Sequence, residues 1–365
     1  YLKPKTSFRS AYAYDNILYA VAGQLIEEVT GQTWEDFIRA RVLRAGGMKN
    51  ATSDSEDRFR IPNRSWPHAR LSGALRGLGP QAALNERDEL GRNGAPAGGL
   101  ALSADDMAAW LKIQLAHGAL PNGKRLFSEE QAAGMWSPVA PAPLTPLPAA
   151  LKPAQPTQQA YALGWNVQDY RGHRIIQHGG GVFGSITRVV MIPDKNVGFA
   201  IMLNSEDSGM LLGLTYDLLD HYLDQPDYGW IQKWEDWYQA RLAGGVEFLK
   251  QSKASPAQSG PSLALAGYAG RYRDPWYGDV VVGSGADGLT IDFTSTPRMA
   301  GRLKHWQYDS FVTKFDDPAI EPAYVTFALD ADGKVIGVTV EAVGQIADFS
   351  WDYHDLDLKP VEDKK

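Results

Sequence analysis

From residue 263 onward, apolar side chains recur at every second position in short runs separated by turn residues, and this leaves little choice of architecture. A period of two places alternate side chains on opposite faces of a strand, so each run reads as a strand with one buried face. The runs are Tyr268–Tyr272, Val280–Val282, Leu289–Phe293, Arg302–Trp306, Phe311–Lys314, Tyr324–Leu329, Val335–Glu341 and Ala347–Tyr353. Asp287-Gly288 and Asp332-Gly333 are dipeptides suited to tight hairpins. Eight short strands at even spacing predict an antiparallel sheet closed into a barrel over 263–365.

The chain before it has a different grammar. Ile17, Leu18, Val21, Leu25, Ile26 and Val29 have helical spacing, and Gly31 follows where a helix stops, which predicts a buried helix directly after Asn16. Thr33, Ser103 and Ser128 each precede acidic residues in the pattern of a helix start. Residues 50–100 are rich in Gly, Pro, Arg and Asn and read as long surface loops. The seven prolines between 138 and 156 exclude a regular helix or a central strand and predict a loop. Tyr161–Val167, Arg174–Gln177, Ser185–Ile192 and Val197–Leu203 read as consecutive antiparallel strands. A helix at about 208–224, with Leu211, Leu214, Leu218 and Tyr222 on one side, is placed to cover one face of that sheet. Trp230, Trp234 and Trp237 are spaced for one side of a further helix, read as packing between two domains and leading into the polar stretch Ser252–Ser262. The expected organisation is therefore α+β: an antiparallel sheet flanked by helices over 1–228, a connection at 229–262, and the barrel domain with a C-terminal tail at 263–365.

Composition narrows the function classes. A 365-residue chain with 44% apolar residues can bury two ordinary cores. The net charge of −7, with acids and bases interleaved, offers no phosphate-tracking surface and argues against nucleic acid. Without cysteine there is neither a disulfide framework nor a thiolate metal site. No histidine falls in an H-E-x-x-H pattern, and His173 with His178 lacks a third ligand, so no metal or other cofactor is expected. No apolar stretch approaches the roughly 20 residues of a spanning helix. The opening residues do not read as a cleavable signal, and the lack of an initiator methionine leads us to expect a start inside a longer product.

Two stretches put polar groups at the ends of elements. Tyr14-Asp15-Asn16 precedes the first apolar helix, where the plainest reading has Tyr14 packing and Asn16 capping. His178-Gly179-Gly180-Gly181 closes the run Arg174–Gln177, where glycines make a bulge or turn or let another backbone approach the strand. Together they carry a resemblance. Tyr-x-Asn before Tyr19-Ala20-Val21-Ala22-Gly23-Gln24-Leu25 resembles the second motif of serine hydrolases related to class C β-lactamases and penicillin-binding proteins. Pro96-Ala97-Gly98-Gly99-Leu100, followed by Ser103-Ala104-Asp105-Asp106, is similar to a loop and helix start of that family. His178-Gly179-Gly180, with Gly184, Pro193-Asp194 and Asn204 after it, resembles the third motif in its His-x-Gly form. Tyr268-Ala269-Gly270-Arg271-Tyr272 and Gly278-Asp279 resemble the opening of the barrel often appended to these enzymes.

The resemblance implies a serine hydrolase that works through an acyl-enzyme on a small peptide, amide or ester, in the manner of a peptidase, esterase or β-lactamase. Tyr14 would share proton transfer with the lysine of a Ser-x-x-Lys helix, and Asn16 would orient that lysine and the substrate amide. An unperturbed phenol has a pKa of about 10, so Tyr14 needs a nearby cation to act as a base, and a protonated His178 would add to it. Gly181 would offer a backbone N–H to the developing oxyanion, with Gly179 and Gly180 lining the same edge. No serine of the chain has a lysine three places later; Ser185 is followed by Arg188 and Ser295 by Arg298. The nucleophile is therefore expected on an N-terminal segment, or a second chain, that carries the Ser-x-x-Lys. The alternative is a catalytically inactive relative that binds peptide or cell-wall fragments. The resemblance further implies a periplasmic or secreted protein, with a cytoplasmic one as the alternative if the encoded start carries no signal. The barrel is expected to supply no catalytic group.

Overall fold

The structure, a computed structural model, describes residues 6–85, 91–253, 260–345, 347 and 349–361. Contacts gather them into two units, one within Lys5–Arg70 and Gly79–Ala240, the other within Leu71–Leu78 and Arg241–Lys365.

The first unit opens with α1 (Asn16–Thr30), α2 (Trp34–Ile38) continuing as a π-helical turn to Arg44, and the single turn α3 (Ser55–Arg58). A two-residue ribbon of β1 (His68–Ala69) and β2 (Ala82–Ala83), then α4 (Gly91–Gly98), α5 (Ala104–Leu115) and α6 (Glu129–Trp136), follow. The expected starts are real caps. Thr33 accepts from the Asp36 N–H, Ser128 from that of Gln131, and Ser103 with Asp106 completes a reciprocal capping box. At α1 the cap is Asp15, which accepts from the Ile17 N–H at 2.8 Å, and not Asn16, which is the first helical residue. Nor is α1 a buried helix. Only Gly23 is buried, while Leu18, Val21, Leu25 and Val29 face outward, Leu25 at 61% exposure, because no described element covers that side.

Six strands form one antiparallel sheet in the order β3 (Ala140–Pro141), β4 (Gln159–Tyr161), β5 (Asn166–Tyr170), β6 (His173–Val182), β7 (Ser185–Ile192) and β8 (Val197–Leu203). The proline-rich segment, expected as loop, contributes the edge strand β3 and a 3-10 turn at Ala149–Ala154, both compatible with proline. The glycines after His178 do not close a strand. β6 runs on through them to Val182, and Phe183-Gly184, both with positive φ, make the two-residue hairpin turn into β7.

α5 packs along β8. On the other face, α7 (Ser208–Tyr222) buries Leu211, Tyr216 and Leu219 against Ile175, Val190 and Ile201, whereas Tyr222, expected on the buried side, is 39% exposed. α8 (Trp230–Lys253) approaches closely enough that a Cβ on Gly213 would lie 2.5 Å from the Ile231 Cα. Trp230 and Trp234 join the core of this unit, Trp234 stacked on Tyr216 and Trp230 tilted against it. The buried Asp220 carboxylate ties the layer together, accepting from Tyr170 Oη at 2.6 Å, Arg171 at 3.1 Å and Trp230 Nε1 at 2.6 Å.

The second unit is the expected barrel, with β9 (Gly270–Asp274), β10 (Gly278–Gly285), β11 (Gly288–Phe293), β12 (Ala300–Gln307), β13 (Ser310–Phe315), β14 (Ala323–Leu329), β15 (Val335–Ala342) and β16 (Asp357–Pro360) joined in a closed antiparallel ring. β16 pairs with β9 to close it. Alternate residues such as Val280, Val282, Leu289, Ile291, Val338 and Val340 fill the interior. The eighth strand is not at Ala347–Tyr353. The chain there makes 3-10 turns at Phe349–Trp351 and Tyr353–Asp355, with Asp352 left-handed at φ 47°, so strand geometry resumes only at Asp357. Part of the polar stretch Ser252–Ser262, and one residue of the expected eighth run, lie outside the described residues.

Candidate active site

The fold brings the two motifs of the first unit together. Tyr14, on the extended residues before α1, donates from its hydroxyl to Asn16 Oδ1 at 3.1 Å, and its ring centroid lies 5.9 Å from that of His178 on β6. Tyr161, at the end of β4, completes a triangle with them, with its ring 5.7 Å from Tyr14 and its hydroxyl 3.1 Å from His178 Nε2. Tyr19 Oη in turn bonds Tyr161 Oη, and Tyr12 packs edge-on against the Tyr161 ring.

Hydrogen-bond chemistry orients this chain of groups. His178 Nδ1 lies 2.6 Å from the Gly179 carbonyl, which can only accept, so Nδ1 carries the proton. Burial lowers the His178 pKa below its ordinary value, with the Arg188 charge acting in the same sense and the Gly179 carbonyl opposing. The imidazole is thus neutral at pH 7, Nε2 accepts, Tyr161 donates to it, and Tyr19 donates to Tyr161. The expectation that a protonated His178 would help ionise Tyr14 is not met. Burial, followed by the neighbouring Tyr19, Tyr12 and Asp15, pushes the Tyr14 phenol up to about 12. Burial pushes Tyr161 up as well.

The register of β6 sets up the rest. β5 pairs with β6 only as far as Asn166↔Gln177, whereas β7 pairs as far as Val182↔Ser185. From His178 to Val182 one side of β6 therefore carries no neighbouring strand among the described residues. In an antiparallel hairpin closed by a two-residue turn, Val182 and Ser185 form a hydrogen-bonded pair and alternate residues follow suit. The N–H and C=O groups of Gly181 and Gly179 then point away from β7, toward the open side. Gly179, Gly180 and Gly181 are all exposed, so an extended substrate backbone can approach them without meeting a side chain.

His173 and His178 do not form a metal pair. Five residues apart on one strand, they face opposite ways, and His173 Nδ1 meets Asp194 Oδ2 at 2.5 Å. A cavity of about 440 Å³ is lined by Glu35, Asp36, Asp54, Glu56, Arg92 and Val182 among others, but none of Tyr14, Asn16 or His178 reaches it. The sequence reading missed Tyr161 and Tyr19. Tyr19 had a signal, since it lies three residues after Asn16 and so shares its helix face. Tyr161 had none, because its approach to His178 follows from the pairing of β4 with β5 and β5 with β6.

A family model described as Beta-lactamase matches residues 1–222, and one for a domain of unknown function (DUF3471) matches residues 254–360. The chain is 28% identical over 306 residues to the unguisins hydrolase ungD of Aspergillus violaceofuscus, covering 77% of this chain and 51% of that protein. It is 27% identical over 194 residues to penicillin-binding protein 4 of Amycolatopsis lactamdurans, covering 53% of this chain and 47% of that one. The chain thus spans about half the length of these curated relatives. Among solved structures, the octameric penicillin-binding protein homologue from Pyrococcus abyssi aligns with 92% of this chain and 64% of its own, at 16% identity and a TM-score of 0.48. No helix among the described residues is long and apolar enough to cross a membrane.

Proposed function

Because the chain belongs to the beta-lactamase family, we propose that it forms part of a serine hydrolase that cleaves a small peptide, amide or ester through an acyl-enzyme. The observation that carries this reading is the convergence of Tyr14–Asn16 with His178 beside an open strand edge of outward backbone N–H groups. The edge suits an extended amide substrate, and Gly181 N–H suits the oxyanion of a tetrahedral intermediate. The names of two relatives, a hydrolase of unguisins and a penicillin-binding protein, favour a hydrolase and a site that accepts a penicillin.

In this reading a serine from a Ser-x-x-Lys segment outside this sequence attacks the acyl carbon. Tyr14, its proton held in this chain up to about pH 12, becomes a base only when the lysine of that segment stands beside it and favours the phenolate. The serine proton passes through that pair to the leaving group, and water then releases the acyl group. His178, neutral and fixed by Tyr161 and Gly179, acts as a hydrogen-bonding group at the edge and not as a cation. We further propose a periplasmic or secreted protein, with a cytoplasmic one as the alternative, which fractionation of the producing cells tests.

The decisive experiment uses the longer protein carrying the upstream Ser-x-x-Lys, treated with a fluorophosphonate or a fluorescent penicillin. Covalent labelling that is lost when that serine becomes alanine is expected. No labelling by either probe, with the protein folded, removes the hydrolase reading and leaves a binding protein.

A further inference from the structure

The central sheet contains a charge that the catalytic reading does not use. Arg188 sits on β7 directly opposite Gly179, and cross-strand partners share a face, so its side chain lies where a Gly179 side chain would otherwise be. A Cβ built on Gly179 would lie 3.7 Å from Arg188 Nη1. The guanidinium is partly buried, near Tyr216 of α7, and its hydrogen bonds go to a neutral acceptor: Nε and Nη2 donate to Gln177 Oε1 at 3.0 and 2.7 Å. Gln177 Nε2 then donates to Gln168 Oε1 at 2.7 Å. No carboxylate forms an ion pair with Arg188 among the described residues. Burying a cation without a counter-ion is costly, and an apolar residue at this strand position would avoid that cost.

The placement suggests what offsets the cost. We propose that Arg188 is a positioning residue of the open edge: its unneutralised guanidinium, behind the glycine run, opposes positive charge on His178 and draws negative charge to the outward N–H groups of Gly179 and Gly181. The second half of this statement rests on the proposed hydrolase reading; the first does not. A guanidinium stays protonated at any neutral pH even when burial lowers its pKa, so the field is permanent. It acts through the thickness of one sheet, out of bulk water, where charges are weakly screened. His178 lies on the opposite face from Arg188, so the two do not touch, and the effect is one of field rather than contact. The titratable side chains that meet His178 are Tyr161 from β4 and Tyr14 from the segment before α1, with Tyr19, Tyr12 and Asp15 behind them. None of these supplies a positive charge, which leaves Arg188 as the cation acting on the imidazole among the described residues.

The test follows the His178 ring C–H signals by proton NMR across a pH titration of this chain, with His178→Gln used for assignment. Arg188→Gln removes the charge and keeps a donor toward Gln177, and Arg188→Lys keeps the charge. The His178 midpoint is expected to move to higher pH in Arg188→Gln and to stay near the wild-type value in Arg188→Lys. An unchanged midpoint in folded Arg188→Gln, or an equal shift in both variants, overturns the proposal. If Arg188→Gln does not fold, Arg188→Met is the second charge-removing variant and is read in the same way. Because the readout needs no turnover, a failure here is distinct from a failure of probe labelling.

Discussion

Tyr14 is the residue on which the catalytic and structural readings separate most widely. Replacing it with Phe removes the hydroxyl and leaves the ring to pack on Tyr161 and His178, so stability should change by only about 0.5–1.5 kcal/mol, the worth of one hydrogen bond. Turnover, assayed with the proposed Ser-x-x-Lys segment present, should fall by roughly 10²–10⁴, the share of general acid–base assistance, and more on an amide than on an activated ester. Equal turnover of mutant and wild type on both substrates would remove Tyr14 from the mechanism. The phenol also makes the fold sensitive to alkali. Its pKa is raised from 10.0 to about 12, so between those values the folded chain holds a proton that the unfolded chain has released. The resulting stability is complete below pH 10 and is lost as pH rises toward 12, which chemical denaturation at a series of alkaline pH values will register as a falling midpoint, with a shallower fall in Tyr14→Phe because the other raised tyrosines remain. His178 works in the other direction. Its pKa is lowered from 6.5, so its contribution is complete above 6.5 and is lost as pH falls through the folded value, and His178→Gln should flatten that acid limb.

Among the elements, the junction of α7, α8 and the β5–β6 turn depends on one carboxylate. Asp220 is 2% exposed and accepts from Tyr170, Arg171 and Trp230. Asp220→Ala leaves the Arg171 guanidinium and the Trp230 N–H without that partner, and the expected loss is about 3–5 kcal/mol, measured by urea denaturation. A loss below about 1 kcal/mol would mean that the tryptophan packing, and not the carboxylate, anchors α8. The start of α1 is a smaller case. Asp15→Ala deletes the cap on the Ile17 N–H, for an expected cost of about 0.5–2 kcal/mol. Because Tyr14 and Asn16 flank that cap, their placement beside His178 should loosen with it.

For the whole molecule, the barrel is the part that can stand alone. Its interior is filled by its own alternate strand residues, and β16 against β9 leaves no open edge. A fragment spanning 260–361 should fold cooperatively, with a β-type circular dichroism spectrum. It lacks the segment Leu71–Leu78, and so loses the hydrogen bond from Arg76 to the Ala319 carbonyl, worth about 0.5–1.5 kcal/mol. A fragment with no thermal transition would show that Leu71–Leu78 is needed to complete the unit. The first unit should behave differently, since α1 exposes Leu18, Val21, Leu25 and Val29 along one side.

The sequence alone determined what is local. Period-two runs marked seven of the eight barrel strands, Thr33, Ser103 and Ser128 marked helix starts, and Tyr-x-Asn with His-x-Gly marked the two motifs that the fold unites, because propensity, capping and alternation act over a few neighbouring residues. The eighth strand escaped because the alternating pattern at 347–353 is overridden by two 3-10 turns that insert Tyr353 into the core. The helix after Asn16 was legible, but its burial was not, because apolar spacing says which face seeks cover and not whether cover is present in this chain. Only the tertiary structure decided that β6 continues through three glycines, that β5 stops short and leaves their outer edge open, and that Tyr161 and Tyr19 complete the contacts of His178. Those facts depend on strand register and on the approach of α1 to the sheet, contacts between residues far apart in the chain, to which local periodicity is blind.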